Sequence, residues 1–501
     1  MSHGPGPSRP PGLVPEPPLA PRRGRRRPRT VSTARRRARL AVALAGLILV
    51  IAIIVSELGG GGLPRPPAPT VADSAGPGDP FAYRSSQQAD FVARAAAGNA
   101  RPLFVLSPGG VVATAKRVAA FRKAIDRATA GSGIDPNLVE GLVFLESAGR
   151  PQAIAGSDPA DAAGLTQILA STGQSLLGMH IDLTASRRLS RQIDAVASGA
   201  RTGHLNRLLA RRAAVDDRFD PTKELAGTVR YLKIAQRQFG REDLAVESYH
   251  MGIGNLRQVL DAYDGGRPVP YPQLYFDSAP TRHADAYRRL SSFGDDSWTY
   301  YWRVLAAVGI MHLYRTNPAE LSRLSALQFA DDAGGAVLHP TVKPFANPAA
   351  LAQAYQDHTI VPLPSNAAAL GLVIDPAMGT GAKAVGAPRS LYRGLRPDAL
   401  RFMIELAAQV RRVSGLRDAP LRIQSTVTDA RLAGQVGLSD PPAQTGWAFS
   451  VERRYVAPAQ AEAFQAVLDR LQSLNLIAWA REPDTIRITV ASDAVSWLRR
   501  G

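Results

Sequence analysis

Residues 40–55 (LAVALAGLILVIAIIV) hold no charge and directly follow a tail crowded with arginine. No other feature constrains the layout of the chain more. Residues 1–39 carry eleven arginines against one acid, Glu16, and so supply ten of the eighteen net positive charges. A Pro/Arg-rich stretch with few apolar residues cannot bury enough surface to fold, so a disordered cytoplasmic tail is expected over 1–39. The run after it sits at the short end of the length that spans a bilayer. Ser56-Glu57-Leu58-Gly59 offers no small-x-small cleavage site, so an uncleaved helix over 40–57 is expected. The positive-inside rule then gives a single-pass protein of the cell membrane, with a cytoplasmic N-terminus and an extracytoplasmic remainder. The arginines have no interleaved aromatics on which bases could stack, which argues against a nucleic-acid partner. Cysteine is absent, which excludes disulfides and thiolate metal sites.

The rest of the chain divides by composition. Residues 58–80 read as a Gly/Pro linker. Residues 81–320 read as helical, because apolar residues recur at three- and four-residue steps over 112–129, 225–238 and 302–314. Pro340, Pro344, Pro362, Pro364, Pro376 and Pro388 punctuate 321–390, which reads as a connector lying on surfaces. Residues 391–501 read as a small α+β domain. Its helices are expected over 400–413 and 459–474, its strands over 421–428, 447–451, 477–480 and 485–490. The expected fold class is therefore multidomain: one N-terminal transmembrane helix, a helical domain and a C-terminal α+β domain.

Within the helical part, Asp135-Pro136 marks a helix start and Gly149 with Pro151 its close. Leu138, Leu142 and Leu145 form one stripe of that helix, and Val139, Val143 and Glu146 form its flank. Glu146 thus leans over the edge of the apolar face. Desolvation there raises the pKa of a carboxyl group, as a general acid working near neutrality requires. Alone, Glu146-Ser147 reads better as a solvated helix end, since Glu-Ser is a common dipeptide. Three further motifs follow in order. Gly164-Leu165-Thr166-Gln167 pairs a tight backbone with a planar amide, Phe219-Asp220-Pro221 opens another helix, and Ser248-Tyr249-His250-Met251-Gly252 makes a tyrosine-bearing turn.

This order of motifs resembles the catalytic domain of soluble-lytic-transglycosylase-type enzymes, lysozyme-like domains that cut the glycan strands of bacterial cell walls. The chain departs from that pattern at Thr166, where methionine is usual, and at His250, where asparagine is. The resemblance implies an all-α, lysozyme-like fold (of the α+β lysozyme superfamily) and Glu146 as the catalytic acid. It also implies contacts to substrate from Ser147, Gly164, Leu165, Gln167, Tyr249, His250 and Gly252, with no metal and no cofactor. Ordinary glycosidases use two carboxylates. Asp158 and Asp161 read more simply as solvated loop residues, so a single-acid, lytic outcome with 1,6-anhydro-MurNAc ends is expected. Lysozyme-like hydrolysis is one alternative, and an inactive cell-wall-binding scaffold is another. The implied partners are peptidoglycan glycan strands, the membrane through the N-terminal helix, and cell-wall or envelope proteins.

The C-terminal domain resembles, more loosely, the zinc D-alanyl-D-alanine carboxypeptidases. The positions that resemble zinc ligands hold Ala443, Ser450 and Arg487, and no histidine follows His358. Zinc takes three or four nitrogen, sulfur or carboxylate ligands. A retained fold without the metal is therefore expected. Glu482 resembles the base of that family, but it has no metal-bound water to act on.

Overall fold

The computed structural model describes residues 79–196, 202–330, 332–339, 341–437 and 443–500. The helix Pro136–Ser147 is the centre of the N-terminal region. Its start is capped by the Asp135 carboxylate, which accepts the Asn137 N–H at 2.8 Å, with Pro136 in the first helical position. Ala148 in a left-handed conformation, then Gly149 at φ +71°, ends it. Residues 138–144 are buried on every face, so the leucine stripe and its valine flank both lie in the core. Gly141 sets its closest neighbour. A side-chain carbon there would stand 2.9 Å from the Val304 carbonyl, so the helix Tyr300–Thr316 lies against it almost backbone to backbone. The buried Glu140 is paired with Arg122 at 3.2 Å and Arg315 at 2.7 Å. Helices Val111–Ala119, Arg122–Thr129, Pro221–Phe239 and Glu242–Met251 enclose the rest. The periodicity over 112–129 is thus carried by two helices with a break at Ala120-Phe121.

The C-terminal region contains β1 (Val361–Pro362), β2 (Leu372–Ile374), β3 (Gly394–Leu395), β4 (Leu421–Ser425), β5 (Ala448–Glu452), β6 (Ile477–Arg481) and β7 (Thr485–Val490). Five of these form one sheet in the order β2-β4-β5-β7-β6, parallel at β2/β4 and antiparallel elsewhere. Helices Pro397–Ser414 and Pro458–Ser473 pack on each other beside it. The stretch 321–390, expected as a surface connector, supplies helices Ala333–Leu338 and Pro348–Gln356 as well as β2, with Leu372 opposite Leu421.

The two regions share one core. Phe81 meets Phe402 edge to face at 6.1 Å, and Phe91 meets Trp497 in the same way at 5.0 Å. Asp79 pairs with Arg470 at 3.2 Å. Gly98, at the end of the helix Gln88–Gly98, approaches the Gln472 carbonyl so closely that a side-chain carbon would stand 2.3 Å from it.

The expected fold class is corrected on one point. Among the described residues no helix is long and apolar enough to cross a membrane. The helix Tyr300–Thr316, apolar over much of its length, has 17 residues and carries Arg303 and Arg315, whereas a span needs about 20 mostly apolar residues. The described architecture is a mostly helical domain with a C-terminal α/β region. The run expected to span at 40–57, like the tail before it and the linker up to residue 78, lies outside the described residues.

Candidate active site

Glu146 lies in the last turn of its helix, half-buried among aromatic side chains. The Tyr300 hydroxyl donates to Glu146 Oε1 at 2.5 Å. Burial pushes the carboxyl pKa up to about 7; the Tyr300 hydrogen bond opposes this and the negative charge of Asp296 adds to it. The group therefore holds a proton near neutrality while keeping an edge open to solvent, which suits a general acid. Asp296 is itself ion-paired with Arg303.

Tyrosines and a histidine wall the acid. Tyr249 and Tyr300 stack with ring centres 6.5 Å apart, and His250 stacks on Tyr300 at 5.1 Å. The His250 Nδ1 lies 3.0 Å from Ser297 Oγ. Burial lowers the His250 pKa, so its ring is neutral at neutral pH and takes the place of an asparagine as a polar, uncharged group. The Tyr249 hydroxyl donates to the Thr166 carbonyl at 2.9 Å, which ties the tyrosine turn to the Gly164 loop. Gly252 sits between two helices at φ +89°, in a region that favours glycine.

The loop carrying Gly164 is built around a carboxylate that the motifs do not name. Glu224, fully buried, accepts the Leu165 N–H at 2.6 Å, the Thr166 N–H at 2.8 Å and the Thr166 hydroxyl at 3.1 Å. Burial still raises its pKa to about 8. Thr166 also pairs with the Thr228 hydroxyl at 2.7 Å, so the threonine that replaces methionine makes a buried polar pair. Arg218, also fully buried, pairs with Asp216 at 2.8 Å and donates to the carbonyls of Pro159 and Asp161. These contacts hold the loop from its far side.

Of the residues expected to touch substrate, Tyr249 and His250 stand at Glu146 and Tyr300. Gly164 and Leu165 are buried beneath the loop and shape it. Gln167 adopts φ +54°, and its side-chain N–H₂ is spent on the Gly164 carbonyl at 2.8 Å. Ser147 is buried, donating to the Val143 carbonyl at 3.3 Å and accepting the Arg150 N–H at 3.2 Å, so it supports the helix end. Asp158 is held by Arg187 at 2.8 Å, which lowers its pKa. Tyr300, Glu224, Asp296 and Arg218 were missed by the motifs. Only Tyr300 had a signal in the sequence, the dense aromatic run Trp298-Thr299-Tyr300-Tyr301-Trp302.

In the C-terminal region Ser450 and Arg487 are cross-strand neighbours on β5 and β7, and Arg487 Nε lies 3.8 Å from Glu482 Oε1. Neither a serine nor an arginine at these positions suits a zinc site, since a guanidinium stays cationic.

A helical domain that sets a half-buried acid of raised pKa beside a glycine-dependent loop has the features of a lysozyme-like domain. Residues 123–267 match the family model described as "Transglycosylase SLT domain". That match supports, for the stretch it covers, a lytic transglycosylase family and a peptidoglycan-acting function of that type. No curated protein matches the chain.

Proposed function

We propose that the protein cleaves the MurNAc–GlcNAc bond of peptidoglycan with Glu146 as its only proton-transferring residue, leaving 1,6-anhydro-MurNAc ends. One observation carries this reading: Glu146 stands at a half-buried edge that raises its carboxyl pKa to about 7, and Tyr300 holds it there. The protonated carboxyl gives its proton to the glycosidic oxygen as the C1–O bond breaks. The substrate's own N-acetyl oxygen stabilises the positive C1. The Glu146 carboxylate then takes the proton from the C6 hydroxyl, whose oxygen closes on C1. The Tyr300 hydroxyl supports the carboxylate during the interval. No water is consumed.

Hydrolysis is the second reading, and Asp296 is what favours it. Its charge acts on Glu146, and an inverting or retaining hydrolase needs a second carboxylate. The ion pair of Asp296 with Arg303 speaks for a positioning role instead. Mass spectrometry of muropeptides released from purified cell wall separates the two readings. Anhydro ends that disappear in Glu146→Gln support the lytic reaction, and hydrated reducing ends that disappear in Asp296→Asn overturn it.

A further inference from the structure

A cleft of about 540 Å³ opens away from Glu146, between the helical region and the C-terminal sheet. We propose that it is a second binding site, which takes a short peptide bearing both carboxylate and ammonium groups. The volume lies within the range of small-ligand sites. Its lining includes Arg303, Arg487, Asp332 and Asp469, together with the indoles of Trp298 and Trp479. Arg101 also lines it, and the Arg303 guanidinium is ion-paired with Asp296.

The sign of the charges narrows the ligand. A polyanion such as a nucleotide would meet the carboxylates of Asp332 and Asp469. A polycation would meet the guanidiniums of Arg101, Arg303 and Arg487. An apolar ligand would leave charged groups of both signs facing it without a partner. A zwitterionic peptide satisfies both signs, and its aliphatic parts can lie on the indole faces. Burial raises the Asp332 pKa against the opposing charges of Arg487 and Arg101, so this carboxylate is short of solvation and gains from an ammonium partner. The cleft also borders the first turn of the helix Tyr300–Thr316, through Thr299 and Arg303. A peptide bound there touches the same turn whose Tyr300 holds Glu146.

The choice of a wall stem peptide as this ligand rests on the proposed peptidoglycan function, whereas its charge pattern does not. The test is calorimetric titration of the full chain carrying Glu146→Gln with the tripeptide L-Ala-γ-D-Glu-meso-diaminopimelate. All-L Ala-Glu-Lys and N-acetyl-triglycine amide serve as the comparison peptides. Saturable binding of the stem peptide is expected, weakened at least tenfold by Arg487→Gln and by Asp332→Asn. Asp332 stands outside the sheet, so its variant remains informative if Arg487→Gln fails to fold. Absence of binding by either charged peptide, equal binding of the neutral one, or binding unchanged in both variants overturns the site. Tighter binding of the all-L peptide overturns the assignment to the wall. The probes contain no glycosidic bond, so either result is independent of whether the enzyme cleaves glycan.

Discussion

The Glu224 carboxylate fills the space that a side chain on Gly164 would need. A carbon added to Gly164 would stand 2.3 Å from Glu224 Oε1 and 2.2 Å from the Arg218 carbonyl, at a φ of +92°. The glycine of the loop motif and the acid 60 residues later are thus one structural unit, and each residue requires the other.

Gly164→Ala is therefore expected to destabilise the protein by about 3 kcal/mol or more, since strain at a positive φ adds to a clash with fixed backbone. Chemical denaturation measures this directly. An alanine variant within about 0.5 kcal/mol of the parent would mean that the loop does not hold this geometry.

Glu224→Gln keeps one acceptor but turns an N–H₂ toward one of the two backbone N–H groups, of Leu165 or Thr166, that its oxygens now accept. A loss of about 2–3 kcal/mol is expected, the cost of leaving buried donors unpaired. Hydrogen exchange at those two amides reports the change locally. They should exchange faster in the variant while the amides of the helix Tyr300–Thr316 stay protected.

Tyr300→Phe removes the one hydrogen bond that holds the Glu146 pKa down. The alkaline limb of the activity profile should move to higher pH, because the acid keeps its proton further into the alkaline range. The maximal rate should fall roughly tenfold as the carboxylate formed during turnover loses its donor. An unshifted limb would separate Tyr300 from the proton transfer.

Folding and protonation are linked at Glu146. Its folded pKa, about 7, lies above the ordinary value of 4.5, so the folded state holds the proton more tightly. Its stabilising effect is complete below pH 4.5 and is lost as pH rises through 7. Glu146→Gln should thus equal the parent in stability at pH 4 and exceed it at pH 8 by on the order of 2 kcal/mol, given its partial exposure. Thermal unfolding at the two pH values checks the sign. Wall cleavage by the same variant should fall 10²–10⁴-fold.

The elements of the C-terminal region were legible because they obey local rules. The helix expected over 400–413 is Pro397–Ser414, and the strands expected over 477–480 and 485–490 are β6 and β7. Alternation and caps are written in adjacent residues, and so is the start at Asp135-Pro136. What did not show was long-range pairing. β2 reads as a fragment between prolines, because its partner β4 begins 49 residues later, at Leu421. Glu224 follows an ordinary Asp-Pro helix start, and nothing in its neighbours says that it turns inward to a loop 58 residues before it. Tyr300 is 154 residues from Glu146. The chemistry could be read where a motif is contiguous, but the groups that tune it come from other parts of the fold.

The clasp of Asp79 and Phe81 on Arg470 and Phe402 also has a mechanical meaning. Tension applied to the chain at residue 79 passes first into the paired helices Pro397–Ser414 and Pro458–Ser473, through an ion pair and an aromatic contact. The helix that bears Glu146 makes none of these clasp contacts. A pull from the N-terminal side loosens the C-terminal clasp before it can distort the acid and its tyrosine.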